Sequence, residues 1–336
     1  MIFNDIEKSV IAKIATLPYD WNRLKHKTVF ISGGTGFIGS HLVALLEERN
    51  KTYNDHIRII SLSRKECKNT AYTQYVTADI REPLKLKVDV DYIIHLASNT
   101  HPVQYAADPV GTITTNILGC HNLLEFGRKK QIDRFLLASS VEIYGNGTET
   151  PFKESDCGYI DCNTARAGYN ESKRVSESLC QSYRSQYGVD CVIARLARVF
   201  GADRKEDSKA LAQFMEHAIK DEDIVLKSKG KQRFSYCYIM DAVSGLVKVL
   251  LDGKCASAYN ISADDDGKNL GDIAKYIAGL AGRQILFDLK EVQEGISVSN
   301  FALLDNTKLK KIGWVPLYSV EQGLKETFCI KRSLKV

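Results

Sequence analysis

The chain has 336 residues, 44% of them hydrophobic and 26% charged, with a net charge of +5. This is an ordinary globular composition, long enough for one large core or two modest ones, and it excludes a disordered or fibrous chain. The charge is spread along the sequence apart from a C-terminal Lys-Arg cluster, which argues against nucleic acid as a partner and suits an anionic small molecule.

Residues 1–26 come first as an amphipathic arm: Ile6, Val10, Ile11 and Ile14 recur at helical spacing before Pro18 ends the helix. The arm is expected to cover an edge of the main domain. Its start, MIFNDIEKSVIAKI, lacks the apolar stretch and cleavage site of a secretory leader. No apolar run reaches the roughly 20 residues that span a bilayer. The expectation is a cytoplasmic protein with no membrane partner. Nine cysteines at scattered spacing fit reduced thiols and no metal site.

From residue 28 strands and helices alternate. TVFISG is a strand and GFIGSHLVALLEERN a helix; IRIISLS, YVTAD and YIIHLAS are the next three strands. A helix over roughly 111–130 carries Ile113, Ile117, Cys120, Leu124 and Gly127 as one stripe. RFLLASS is a fifth strand. A helix over roughly 166–187 places Val175, Leu179, Tyr183 and Tyr187 on one face, and VDCVIARLA is a sixth strand. Short apolar strands separated by helices predict a parallel sheet covered on both faces. After about residue 200 the rhythm shortens: a charged loop ADRKEDSK, then IVLKS, FSYCYIM, AYNIS, a helix near 270–280 and ILFDL. The expected organisation is the arm at 1–26, a main domain at 27–197, and a smaller α/β substrate lobe at 198–330 that interleaves with it.

The most informative string is FISGGTGFIG. Gly33, Gly36 and Gly39 follow a strand and open a helix, with Phe37 and Ile38 in its first turn. Glycines there let a pyrophosphate approach the backbone, and the helix N-terminus offers unpaired N–H groups and partial positive charge. This predicts a nicotinamide dinucleotide on a Rossmann-type, doubly wound parallel sheet. The second strand ends Leu62-Ser63-Arg64-Lys65, with no acid for a ribose 2′-hydroxyl. Ser63 and Arg64 suit a 2′-phosphate, so NADP is favoured over NAD. Asp79 is a candidate contact for the adenine.

Tyr169 and Lys173 stand at i and i+4 on a helix, facing one way. An ammonium beside a phenol favours phenolate, the form that takes a proton from an alcohol during oxidation. Ser140, ending the fifth strand, is the natural third member and orients the same hydroxyl.

With these motifs the sequence resembles the extended short-chain dehydrogenase/reductase family, in its nucleotide-sugar epimerase/dehydratase group, over roughly residues 27–320. The resemblance is carried by GGTGFIG, Asp79-Ile80, His95-Leu96-Ala97-Ser98, Thr115-Asn116-Ile117-Leu118-Gly119, the run Ser139–Gly145, Tyr169/Lys173, Leu304-Asp305 and Gly313-Trp314. It implies that Ile80, Leu96, Ala97, Ser98 and Asn116 line the cofactor site, and that Lys173 binds the cofactor ribose. It also implies a nucleotide-diphosphate sugar oxidised at C4, and a homodimer built on the helices near 111–130 and 166–187. Sugar 4,6-dehydratases carry an Asp-Glu pair after the Ser/Thr; here Val141 stands before Glu142, which disfavours dehydration. The string Ser140-x-Glu142-x-Tyr144-Gly145 is more like UDP-glucuronate decarboxylases and some 4-epimerases. Glu142 is expected to act at C5 or hold the sugar, with Tyr144 pointing away. The decarboxylases' late Arg has no equivalent in the stretch 297–301. Arg198 replaces the family's Asn after the sixth strand, and Phe234 replaces its Arg before the late Tyr-x-x-Asp, with Arg233 one position early. Arg198 and Arg233 are the candidate grips on the substrate diphosphate. Two alternatives stay open: an NADPH-dependent keto-sugar reductase and a non-catalytic dinucleotide-binding regulator.

Overall fold

The computed structural model describes residues 3–100, 107–204, 209–264, 267–289 and 300–334. Parts of the charged loop at 202–209, of the stretch 297–301 and of the basic C-terminus therefore lie outside the described residues. Thirteen strands are described: β1 (Thr28–Ser32), β2 (Arg58–Ser63), β3 (Thr73–Thr77), β4 (Tyr92–His95), β5 (Arg134–Ser140), β6 (Cys191–Leu196), β7 (Arg198–Phe200), β8 (Ile224–Leu226), β9 (Arg233–Phe234), β10 (Tyr236–Tyr238), β11 (Ala258–Ile261), β12 (Ile285–Phe287) and β13 (Phe301–Ala302). The helices are α1 (Asp5–Ala15), α2 (Phe37–Tyr53), α3 (Pro109–Lys130), α4 (Ala167–Tyr187), α5 (Ala210–Ile219), α6 (Ile239–Asp252), α7 (Leu270–Leu280), α8 (Thr307–Lys310) and α9 (Val320–Ser333).

Seven strands form one parallel sheet in the order β11-β6-β5-β4-β1-β2-β3. Alternation along each strand feeds two cores. Val29 and Ile31 of β1 and Leu136 and Ala138 of β5 join α1, α2 and α6 on one face. Phe30, Phe135 and Leu137 join α3 and α4 on the other. Both faces are buried, as the near-continuous apolar strands predict. AYNIS, expected among the short elements of the lobe, is β11, the edge strand of this sheet, reached through α6. The lobe itself holds three two-stranded parallel ladders, β7–β10, β8–β12 and β9–β13. No helix among the described residues is long and apolar enough to cross a membrane.

Two expectations about helices need correction. The arm lies over a helical face, not an edge: α1 packs on α2, with further contacts to α6 and α9. And α4 buries Tyr169, Ser172, Lys173, Ser176, Glu177, Cys180 and Tyr183, leaving Val175 39% and Tyr187 47% exposed. Its buried face is therefore largely polar. On α3 the expected stripe holds over its second half, where Cys120, Leu124 and Gly127 are buried with Gly119, Leu123 and Phe126, while its first half buries Thr112 and Asn116 and leaves Ile113 and Ile117 half-buried beside them.

Candidate active site

The glycine loop has the geometry that a phosphate cradle needs. Gly33 has φ of 79°, and a Cβ there would lie 2.8 Å from the Ala97 nitrogen. A Cβ on Gly39 would meet the Gly33 carbonyl oxygen at 2.2 Å. Side chains at either position would force the loop off β4 or off its own helix. α2 begins at Phe37 with Gly36 as its cap and no side chain bonding its first N–H groups. That end is thus polarised toward an anion, and the residues present fit a dinucleotide pyrophosphate. Ile38 packs half-buried behind the loop.

At the ribose end, Ser63 is buried, accepts the Lys65 N–H at 3.2 Å and lies 3.4 Å from the Thr35 hydroxyl, while Arg64 is exposed. Asp79 is clasped by Arg81, with Nη2 to Oδ2 at 2.6 Å, and this pairing holds its carboxyl below the usual range. Ile80 is buried. Beyond β4, Leu96 and Ala97 N–H groups bond back to Ser32 at 3.0 and 3.3 Å. The Ser98 hydroxyl donates to Asn116 at 2.7 Å, and the Asn116 amide donates to Ser172 at 2.9 Å. Asn116 thus bridges the β4 tail to α4, a structural use of both ends of its amide.

β5 ends at Ser140 and the chain turns through a 3-10 helix, Val141–Tyr144. Ser140 caps that turn, its Oγ accepting the Glu142 N–H at 3.2 Å. Capping uses a lone pair and leaves the O–H to donate. Lys173 is buried, donates to the Ala138 carbonyl at 2.9 Å and stands 6.0 Å from the centre of the Tyr169 ring. Burial brings its ammonium down from 10.5 to about 8. His95, at the end of β4, is held by Ser32 at 2.7 Å. Burial, then the charge of Lys173, pushes its imidazole down to about 3, so it stays neutral.

Glu142 faces the start of α4. Arg166 Nη2 donates to it at 3.0 Å, Asn170 Nδ2 at 3.4 Å, and Arg198 Nη2 stands 3.9 Å from its second oxygen. The Arg198 guanidinium lies 3.5 Å from the Phe234 ring centre. Tyr144 turns into the core instead, its hydroxyl bonded to Asn260 and Arg195, each at 2.8 Å, and burial pushes its phenol up to about 12. Arg233 is not brought to this group. Its Nε donates to the Gly267 carbonyl at 3.1 Å, and it lines a cavity of about 660 Å³ with Asp264, Lys268, Asp272, Tyr276 and Glu321. One position along a strand reverses the face, so with Phe234 against Arg198, Arg233 looks elsewhere. Arg166 and Asn170 escaped the sequence reading, although their i, i+4 spacing on either side of Tyr169 carries the signal.

A glycine-loop helix, a Tyr/Lys pair on the helix before β6 and a hydroxyl at the end of β5 define a dinucleotide-dependent enzyme of the short-chain dehydrogenase type. The NAD dependent epimerase/dehydratase family model matches residues 29–262, and the chain belongs to that family. Among its relatives, a UDP-glucuronic acid decarboxylase from Arabidopsis thaliana is 32% identical over 303 residues, covering 88% of this chain and 86% of that one. One from Danio rerio is 32% identical over 313 residues, covering 90% and 72%. A UDP-glucose 4-epimerase from Thermotoga maritima, solved with UDP-glucose, has a TM-score of 0.78 at 22% identity and covers 92% of this chain and 100% of that one. A dTDP-glucose 4,6-dehydratase from Streptomyces venezuelae, solved with NAD, has a TM-score of 0.78 at 22% identity, covering 91% and 97%. The protein is a nucleotide-sugar epimerase/dehydratase-family enzyme.

Proposed function

We propose that the enzyme oxidises the C4 hydroxyl of a UDP-hexuronate, releases its carboxylate as carbon dioxide and reduces C4 again, leaving a UDP-pentose. The observation that carries this reading is Glu142 engaged by Arg166 and Arg198 beside Ser140 and the Tyr169–Lys173 helix. Dehydration needs a proton donor at the C6 hydroxyl. Val141 has none, and Glu142 is held as a carboxylate by Arg166 at one oxygen with Arg198 3.9 Å from the other. Decarboxylation needs less. Once C4 is a ketone the carboxylate is β to it, so the C5–C6 electron pair flows to the C4 oxygen as carbon dioxide leaves, and the enolate takes a proton from water at C5 to restore the ketone before C4 is reduced. Two arginines at one wall suit a substrate that brings its own carboxylate.

The loop Gly33–Gly39 and the start of α2 would hold a nicotinamide dinucleotide, which would supply the hydride acceptor and donor for C4. Ser140 orients the C4 oxygen and donates to it as negative charge develops. Tyr169 removes the hydroxyl proton and later returns it, and Lys173 holds the phenolate form. The cofactor preference we propose is NADP, from Arg64 and the missing acid; the family is NAD-dependent.

Incubating the protein with UDP-glucuronate and following the sugar by mass spectrometry tests the reading. Loss of carbon dioxide supports it. A product of unchanged mass but inverted C4 favours a 4-epimerase, the second reading, motivated by the lack of an equivalent of the decarboxylases' late arginine in the sequence 297–301. Loss of water from a UDP- or TDP-hexose, or stoichiometric consumption of NADPH on a keto-sugar, overturns both. No turnover across a nucleotide-sugar panel leaves a binding protein.

A further inference from the structure

Beneath these groups lies a buried ion pair that the proposed chemistry does not use. Glu177 stands four residues beyond Lys173 on α4, as Lys173 stands four beyond Tyr169, so the three side chains leave the helix on one face. All three are buried. Arg195 on β6 meets Glu177 in a fork, Nη2 to Oε2 at 2.7 Å and Nε to Oε1 at 3.1 Å. Oε1 also accepts the hydroxyl of Ser139, the residue before Ser140, at 2.5 Å. The remaining Nη1 of Arg195 donates to the Tyr144 hydroxyl at 2.8 Å and the Glu154 carbonyl at 2.9 Å. Tyr144 closes the turn that carries Glu142. Its hydroxyl donates to Asn260 on β11, and Asn260 donates to the Phe152 and Asp305 carbonyls at 2.9 and 3.0 Å.

Stability alone is a weak reason for such a pair. Desolvation roughly cancels the attraction of two buried charges, and apolar residues of the same shape often serve as well. What a planar guanidinium with four fixed acceptors does deliver is geometry. It ties α4, the end of β5, the Glu142 turn and the segment at Asp305 to one point. We infer that Arg195 and Glu177 are positioning residues: together they hold Ser140 in register with the Tyr169–Lys173 face of α4, and Glu177 is the counter-charge of Lys173.

The surroundings of Lys173 bear on the second half. From α4 it meets Tyr169 and Glu177, from β5 the Ala138 carbonyl, from β4 the neutral His95, and from α3 the Cys120 thiol. Burial lowers the ammonium, and Cys120 and then Glu177 act against that.

The inference rests on Tyr169 and Lys173 being the proton-handling pair; the titration that tests the counter-charge needs no sugar, and only the kinetic comparison that tests the positioning does. The holoprotein, carrying isotope-labelled lysine and its dinucleotide, is titrated by NMR, with the Lys173 signal assigned by Lys173→Met. Glu177→Gln keeps the shape and removes the charge, so the Lys173 midpoint falls, by about one unit for a neighbouring charge at a buried site. Arg195→Gln leaves Glu177 uncompensated, so the midpoint rises. The double variant returns toward wild type; it buries no lone charge, and stands in with Glu177→Gln if Arg195→Gln does not fold. Arg195→Lys keeps the charge but loses the fork, so the midpoint holds while kcat falls roughly 10- to 100-fold at little-changed KM, as for an effect confined to the chemical step. Midpoints that stay put in Glu177→Gln, or move the same way in both single variants, overturn the counter-charge. Arg195→Lys turning over at the wild-type rate overturns the positioning. Absence of turnover in the wild type sinks the proposed function and leaves the titration readable.

Discussion

Tyr169 reaches the active site through helix geometry, and Lys173 is kept beside it by a carbonyl from β5. Tyr169→Phe removes one hydroxyl from a buried ring and leaves the glycine loop untouched. We expect NADP and NAD binding to persist and turnover to fall by roughly 100- to 10,000-fold, the usual contribution of an acid/base group. Steady-state kinetics with cofactor titration checks this, and activity within a few-fold of wild type removes Tyr169 from the mechanism. The depressed Lys173 adds a pH signature. Its ammonium is charged below about 8 and lost above it, so the rate declines as pH rises through about 8. A rate that stays flat well past that point shows that the ammonium is not needed. At the ribose, Arg64 is exposed and no acid follows Leu62. Tighter binding of NADP than NAD, abolished in Arg64→Ala, is expected by calorimetry; tighter NAD binding unchanged by that substitution rejects it. Motif spacing made the placement of Ser140 at the end of β5 and of Tyr169 and Lys173 on one face of α4 legible. It misplaced Arg233, because a one-residue offset on a strand changes the face and only the pairing of β9 with β13 shows which.

Elements with an apolar rhythm were legible, and their partners were not. The helix α1 follows from Ile6, Val10, Ile11 and Ile14, yet the group it positions lies 197 residues away. Glu7 is buried and ion-paired to Arg204, just past β7, and stands 3.6 Å from His41 on α2. Burial alone would raise this carboxyl. The nearby His41 ring, the Arg204 guanidinium and the hydrogen bond from the Asn4 backbone N–H outweigh it and hold the group down at about 2, from 4.5. A depressed carboxyl stabilises the fold above its unfolded value and loses that contribution as pH falls toward the folded one. Two and a half units correspond to about 3 kcal/mol. Glu7→Gln should therefore cost about that much in urea unfolding at neutral pH, and the cost should shrink near pH 3, where the unfolded chain's carboxyl takes up a proton that the folded one does not. Equal loss at both acidities means the arm packs without its ion pair. The face of α4 was misjudged for a related reason. Ser176 and Glu177 are buried because Asn116, Ser139 and Arg195 satisfy them, and no hydropathy pattern encodes that.

At the scale of the whole molecule, the same misjudged face becomes informative. With polar side chains of α4 turned inward, its apolar residues are left outside: Val175 is 39% and Tyr187 47% exposed, and on the adjacent α3 Val110 is 70% and Leu118 43% exposed. The two helices pack side by side and present these residues on the sheet's outer layer. A stable interface buries upward of about 1,000 Å² in total, and a self-complementary pair of helices is the simplest two-fold solution. We expect a dimer of two 37.6 kDa chains by light scattering at micromolar concentration. Leu118→Glu combined with Val175→Glu places like charges in such an interface and should give monomers with unchanged circular dichroism. Because Tyr169 and Lys173 leave the inner face of the helix whose outer face pairs, those monomers should also melt earlier and turn over more slowly. A monomeric wild type, or a charged double variant that remains dimeric, locates any interface elsewhere on the molecule.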